Sequence, residues 1–232
     1  MNDVIHVKTE GDKLHIIHSD LCIFQYRGFN HVVEDTKSII GLVDRYGSPN
    51  NTLIFVHKER IYVIFDDSIK DRPQDTAVCK FCVSDQAMEW LNIQDSSVRQ
   101  TKFIDFLKCR PEGEVENLDA LLAAVKVLKI TTEIIGNYEY DDSGNITFMY
   151  KTKDKEGKCS IPSVLNVTMP ILNNGDVLEI EMELEVVKPK SETEKPAFII
   201  SCPKWPRYYK QAVEVETKKL KDALPEYLIL AG

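Results

Sequence analysis

The amino-acid sequence predicts an α+β fold: antiparallel β-sheets with segregated helices, packed as a single compact domain over residues 1–232, with a candidate lobe boundary near residues 110–116. Three observations predict it. Strand-like and helix-like stretches come in blocks instead of alternating as βαβ units. Hydrophobic residues make up 43% and charged residues 28% of the chain, ordinary globular usage. A compact chain of this length buries about 70 to 75% of its unfolded surface, enough for a packed core without covalent staples.

Val4 to Val7, Leu14 to Ile17 and Leu21 to Tyr26 are short β-branched or aromatic runs, parted by Gly11-Asp12 and Ser19-Asp20, the pattern of an opening antiparallel meander. Arg27-Gly28-Phe29-Asn30 breaks the strand. Ile39, Ile40, Leu42, Val43 and Tyr46 then recur at helical spacing, giving a helix of about three turns from near Thr36 to Gly47. Thr52 to Val56, Arg60 to Phe65 and Ala77 to Val83 read as strands, the first two joined by a turn at Lys58-Glu59.

Helices follow. Ser84 can cap one containing Ala87, Met88, Trp90 and Leu91, and Ser96 or Ser97 a second carrying Phe103, Ile104, Phe106 and Leu107, which Arg110-Pro111-Glu112-Gly113 ends. Asn117 can cap a third over Leu118 to Leu128, with Leu121, Leu122, Val125 and Leu128 as its apolar stripe. The second half turns to β structure. Ile134 to Tyr140 and Ile146 to Thr152 flank a hairpin loop at Asp141 to Asn145, and Val164 to Met169, Val177 to Val187 and Ala197 to Cys202 add strands. Lys188 to Pro196 has the composition of a polar loop, the last helix runs from near Arg207 to about Ala223, and Pro225 ends it before the apolar tail Tyr227 to Leu230.

Charge and composition exclude several function classes. No stretch approaches the ~18 apolar residues of a membrane span, and Met1 to Glu10 lacks the basic flank and apolar block of an export signal, so a cytoplasmic protein without membrane association is expected. The net charge of −8 disfavours general nucleic-acid binding. The six cysteines, Cys22, Cys79, Cys82, Cys109, Cys159 and Cys202, are scattered and read as buried free thiols.

The chemical motifs are incomplete. Cys79 and Cys82 have CxxC spacing but no second pair, and on a strand residues three apart point to opposite faces. His6, His15, His18, His31 and His57 form no helical pair of ligands. Ile61 to Asp67 is an apolar strand ending in two acids, as in nucleotide-hydrolysing enzymes, but no phosphate-cradling GxxxxGK accompanies it. Glu179, Glu181, Glu183 and Glu185 occupy one face of a strand at about 7 Å spacing and are expected to pair across strands with lysines such as Lys151, Lys153 and Lys155. No GxSxG elbow marks a nucleophile. No catalytic residue, metal or cofactor is assigned.

Pro203-Lys204-Trp205-Pro206-Arg207-Tyr208-Tyr209-Lys210 has the most unusual local composition, three aromatics among three cations. Such a segment anchors a protein partner or stacks bases; its simpler reading is that the prolines position the last helix and Trp205 packs beneath it. Trp205, Arg207, Tyr208 and Tyr209, with Tyr227, Leu228 and Leu230 of the tail, are the candidate partner-binding residues.

Phe24 to Gly28 before the first helix, Ile61 to Asp66, Ala77 to Trp90, Ser96 to Phe106 and the apolar Val164 to Pro170 segment have an order and spacing that resembles the YfdQ family of prophage and phage proteins. The resemblance spans most of the chain. It implies a small accessory protein of temperate phages acting in the host cytoplasm, and it carries over no reaction and no functional residue.

The leading expectation is therefore a non-enzymatic phage accessory protein that binds a host or phage protein and assembles with itself, since Tyr227-Leu228-Ile229-Leu230-Ala231 is too apolar to leave in water; the simpler reading of the tail is that it packs on its own sheet. Two alternatives stand beside it. One is a nucleic-acid-binding accessory of phage recombination or replication, using Lys204 to Lys210 and Arg99, Lys102, Lys108 and Arg110; the other is a metal-dependent hydrolase or nuclease using Asp66 and Asp67.

Overall fold

The structure, a computed structural model, describes residues 7–10, 13–16, 28–68, 73–128, 139–140, 145–151, 156–187 and 196–231. Its architecture is α+β, as the segregated pattern predicts. At the start, β1 (Val7–Glu10) pairs antiparallel with β2 (Lys13–Ile16), and residues 21–26, the third run of the expected meander, lie outside the described residues.

A five-stranded sheet comes next. It contains β3 (Asn30–Val33), β4 (Leu53–Val56), β5 (Arg60–Ile64), β6 (Thr76–Lys80) and, from the far end of the chain, β14 (Leu228–Ala231), in the order β14-β4-β5-β6-β3. Antiparallel pairing holds β4, β5 and β6 together, whereas β3 joins β6 and β14 joins β4 in parallel. The sheet is thus mostly antiparallel, as expected, with parallel pairing confined to its two edges. Helix α1 (Thr36–Tyr46) begins where the Asp35 carboxylate accepts the Ser38 N–H at 2.7 Å, and it lays Thr36, Ile39 and Val43 into the interior.

Helix α2 (Asp85–Ile93) starts at Ser84, whose hydroxyl oxygen accepts the Ala87 N–H at 3.1 Å. The next helix differs from expectation: neither Ser96 nor Ser97 caps it, because Val98–Arg99 forms a short strand, β7, against the later β13 (Ala197–Ser201), and α3 (Gln100–Lys108) begins directly after it without a side-chain cap. Helix α4 (Leu118–Val127) does start after Asn117, but that residue is left-handed (φ 53°) and its side chain makes no capping bond.

Two further antiparallel sheets follow, β10-β9-β8, made of β8 (Glu139–Tyr140), β9 (Asn145–Lys151) and β10 (Glu156–Pro162), and β11-β12-β13-β7, which adds β11 (Val164–Pro170) and β12 (Val177–Val187). Strand β10 has no counterpart in the sequence reading. The final helix, α5 (Trp205–Ala223), starts two residues before expectation, with Pro206 in its first turn where a missing N–H costs nothing.

Ile180, Met182, Leu184 and Val186 of β12 point inward beside Phe198 and Ile200 of β13, and the α3 ring of Phe103 stacks on Phe198 with centroids 4.7 Å apart. On the five-stranded sheet the inner face is Ile54, Val56, Ile61, Val63, Ala77 and Cys79, covered by α1 and by Ala212, Glu216 and Leu220 of α5. The stretch near residues 110–116 runs along β11: Val115 bridges Val167, and Thr168 N–H donates to the Glu114 carbonyl at 2.7 Å.

That stretch also buries charge. Glu114 accepts the Trp90 indole N–H at 2.6 Å and lies 3.5 Å from Arg110, which also pairs with Glu89 and sits over the Phe106 ring. Arg110 and Glu114 are both enclosed, so removing one leaves the other without its counter-charge. Arg110→Ala should lower the unfolding free energy by about 3 kcal/mol, and adding Glu114→Gln should recover part of it; equilibrium urea unfolding measures both.

Candidate functional site

The two tyrosines that open α5 face different sheets. Tyr208 accepts the backbone N–H of Glu181 on β12 at 3.2 Å. Tyr209 donates its hydroxyl to the Phe81 carbonyl at 3.1 Å, with the Lys58 carbonyl at 3.3 Å, at the ends of strands in the other sheet. Burial, followed by the charge of Glu59, pushes the Tyr209 phenol above its usual pKa. Lys204 pairs with Glu181, and their mutual hydrogen bond raises the lysine pKa and lowers the glutamate's.

With α5 fixed in this way, a groove of about 890 Å³ opens along it, lined by Trp205, Pro206, Tyr209, Lys210, Val213, Glu214, Thr217, Lys218, Lys221 and Asp222 on the helix and by Val56, His57, Lys58 and Ala231 at the ends of β4 and β14. Its volume is that of a ligand or peptide site. Trp205 is half-buried in its wall, so its role is shared between supporting α5 and lining the groove.

The tail does not hang free. Leu228 to Ala231 pairs residue for residue with Leu53 to Val56 as β14, and Tyr227 packs on α1's end, where a Cβ added at Gly47 would lie 2.5 Å from the Val43 carbonyl oxygen and 3.0 Å from the Tyr227 ring. Of the two ways to bury the tail, a neighbouring subunit or its own sheet, the chain uses the second for its backbone, which is satisfied on one side by β4. Leu228 and Leu230 nevertheless remain 53% and 41% exposed.

Those two leucines belong to a larger surface. The registers put Leu228 and Leu230 with Leu53, Phe55, Tyr62, Ile64, Val78 and Val32 on the outer face of the five-stranded sheet, opposite the buried set. Val32 is 67% exposed, while Leu53, Phe55, Tyr62, Ile64 and Val78 are half-buried. Sequence reasoning missed this face. The signal was the pair of runs Leu53-Ile54-Phe55-Val56 and Ile61-Tyr62-Val63-Ile64, apolar at consecutive positions although the sheet is antiparallel, where one solvated face would call for alternation.

Of the candidate partner-binding residues, the structure brings Trp205 and Tyr209 to the groove and Leu228 and Leu230 to the sheet's outer face; Arg207 is exposed on α5, while Tyr208 and Tyr227 are engaged internally. The cations of the nucleic-acid reading are brought together only in part: Arg99 and Lys102 line one pocket of about 540 Å³ with Phe106, whereas Arg110 is enclosed beside Glu89 and Glu114, Lys108 lies 3.9 Å from Asp105, and Lys204 is held by Glu181. Across the strands the glutamate ladder faces Asn166, Thr168, Ile199 and Ser201, and its lysine partner is Lys204, which pairs with Glu181; Lys151 is in another sheet, and Lys153 and Lys155 lie outside the described residues.

Asp66 is bound to the Ser68 hydroxyl at 2.6 Å and Asp67 lies 3.4 Å from the Gln74 amide, contacts of a turn. No cluster of three or more His, Cys, Asp or Glu among the described residues is arranged to hold a metal ion, and no described helix is long and apolar enough to cross a membrane. His57 stacks on Phe55, and His31 lies against Phe29 and Tyr46. Comparison with family models, with curated proteins and with solved structures finds no match to the chain.

The thiols divide. Cys79 and Cys202 are buried, and Cys82 and Cys109 are exposed, so the expectation of uniformly buried thiols is corrected at the latter two. Burial, reinforced by Asp35, Glu216 and Cys82, pushes the Cys79 pKa up to about 12, and burial also raises that of Cys202. Since the thiolate is the nucleophile, iodoacetamide at mildly alkaline pH should alkylate Cys82 and Cys109 in the folded protein and reach Cys79 and Cys202 only after denaturation. Mass spectrometry of the digested protein reads this directly; rapid native labelling of Cys79 would contradict the packing.

Proposed function

We propose that this chain is a non-enzymatic binding protein that self-associates through the outer face of its five-stranded sheet and works as an accessory factor of phage or prophage origin in the host cytoplasm. The phage setting rests on the resemblance to the YfdQ family. The partly exposed apolar face of the five-stranded sheet carries the binding reading. Five strands about 4.8 Å apart with about 3.3 Å rise per residue give it roughly 350 Å² in plan, within the size range at which apolar patches mark contact sites.

A second copy suits this face because its middle bears no formal charge: Val32, Val78, Tyr62, Ile64, Leu53, Phe55 and Leu230 meet their own symmetry mates without repulsion, and Arg60 and Lys80 sit together at one end. Packing two such faces about a two-fold axis removes both from water. Size-exclusion chromatography with light scattering tests the reading. The expected mass is twice the 26.6 kDa of one chain. The double variant Val32→Glu, Val78→Lys, whose side chains oppose each other in the register and can pair within one copy, should elute as a folded monomer with an unchanged circular dichroism spectrum. A monomeric parent protein across the concentration range would remove the proposal.

A further inference from the structure

We propose that the groove beside β14 is a β-augmentation site that takes an extended segment of a partner protein in which acidic and apolar residues alternate. The first observation is the edge itself. Among the described residues no strand pairs with the other side of β14, and Leu228-Ile229-Leu230-Ala231 contains none of the lysines, prolines or bulges with which exposed edges are usually protected. Such an edge presents unpaired N–H and C=O groups to an incoming strand.

The second observation is the space next to it. Ala231 is on the sheet's inner side, with buried Val56, and both line the groove under α5. An extended segment paired to β14 puts every second side chain on that inner side, against Trp205, Tyr209, Val213 and Thr217. From Trp205 to Asp222 the helix offers about 25 Å, the span of seven or eight extended residues.

Charge decides the chemistry of the occupant. Lys58, Lys218 and Lys221 border the groove with no carboxylate in ion-pair range among the described residues, while Lys210 is 3.6 Å from Glu214. Asp222 adds one further acid. The groove is thus locally positive on a chain whose net charge is −8. An acidic segment is drawn to it, and a basic one repelled. None of this chain's described edge strands alternates acid with apolar residues, so none of them supplies the matching segment, and the proposal assigns the occupant to a partner protein. A nucleic acid strand would meet the lysines and Trp205 but has nothing to match the backbone ladder of β14.

Fluorescence anisotropy at low salt tests this with five probes: an eight-residue peptide alternating valine and glutamate, the same peptide N-methylated at alternate amides, the same peptide with lysine for glutamate, a version with its glutamates in one block, and a thymidine 15-mer. The parent protein and the Val32→Glu, Val78→Lys variant are both used, so that failure of self-association and failure of this site are read separately. The alternating acidic peptide should bind to both proteins. Lys218→Glu with Lys221→Glu should weaken it at least tenfold, and N-methylation of alternate amides in the peptide should do the same by removing ladder donors. No binding, or equal binding of the blocked peptide, overturns the proposal; tighter binding of the oligonucleotide overturns it in favour of nucleic acid.

Discussion

Everything distinctive in this molecule depends on how α5 is fastened between two sheets. Adjacent residues of an α-helix point about 100° apart, so Tyr208 and Tyr209 reach in different directions, and each ends in a hydrogen bond to backbone of a different sheet. The partners are groups that strand pairing has left over. Glu181 lies past the end of the β12–β13 register at Glu183↔Ser201, so its N–H is free to donate to Tyr208, and Phe81 follows the last paired residue of β6. Further along the helix, Lys219 reaches Asp176 at 2.7 Å, tying it to the chain leading into β12, and Glu216 at the same distance on α5 itself. A helix held at both ends fixes where the chain can return, and Gly47 lets Tyr227 come close enough for β14 to form beside β4.

Local signals in the sequence were legible where local physics decides. Ser84 and the apolar spacing of α1 are short-range features, and both elements form as read. The alternation of glutamates with Ile180, Met182, Leu184 and Val186 gives the orientation of β12 because only one of its faces is buried. What could not be read is whatever depends on a distant partner. Asn30 to Val33 looks like a broken strand until β6 supplies parallel hydrogen bonds, and Leu228 to Ala231 looks like a sticky tail until β4 does so. Ser96 and Ser97 lose their capping role to a β7 strand that exists only because Ala197 and Phe198 lie opposite Arg99 and Val98.

The candidate site was legible in composition and hidden in geometry. Aromatics and cations between Lys204 and Lys210 stand out in the sequence, but their helical spacing distributes them over several surfaces: Tyr208 to β12, Tyr209 and Trp205 to the groove, Lys204 to Glu181. The lysines that complete the groove, Lys58, Lys218 and Lys221, come from a strand turn and from the later part of α5, and no spacing rule joins them. Net charge conceals the same arrangement. A chain of −8 places Glu179, Glu183 and Glu185 on one exposed sheet surface and gathers lysines along another, so attraction is set by distribution and not by the sum.

β14 is where the two proposed surfaces meet, and strand geometry explains how four residues can serve both. Leu228 and Leu230 extend the outer apolar face, while Ile229 and Ala231 point to the inner side, where Ala231 lines the groove. A segment added to its free edge would continue both faces at once, lengthening the apolar surface on one side as it fills the space under α5 on the other. Self-association and partner capture are therefore coupled in sign: an added strand enlarges the face that a second copy buries, so each event should favour the other. A coupling of this kind needs no conformational switch, because contact area alone links the two sites.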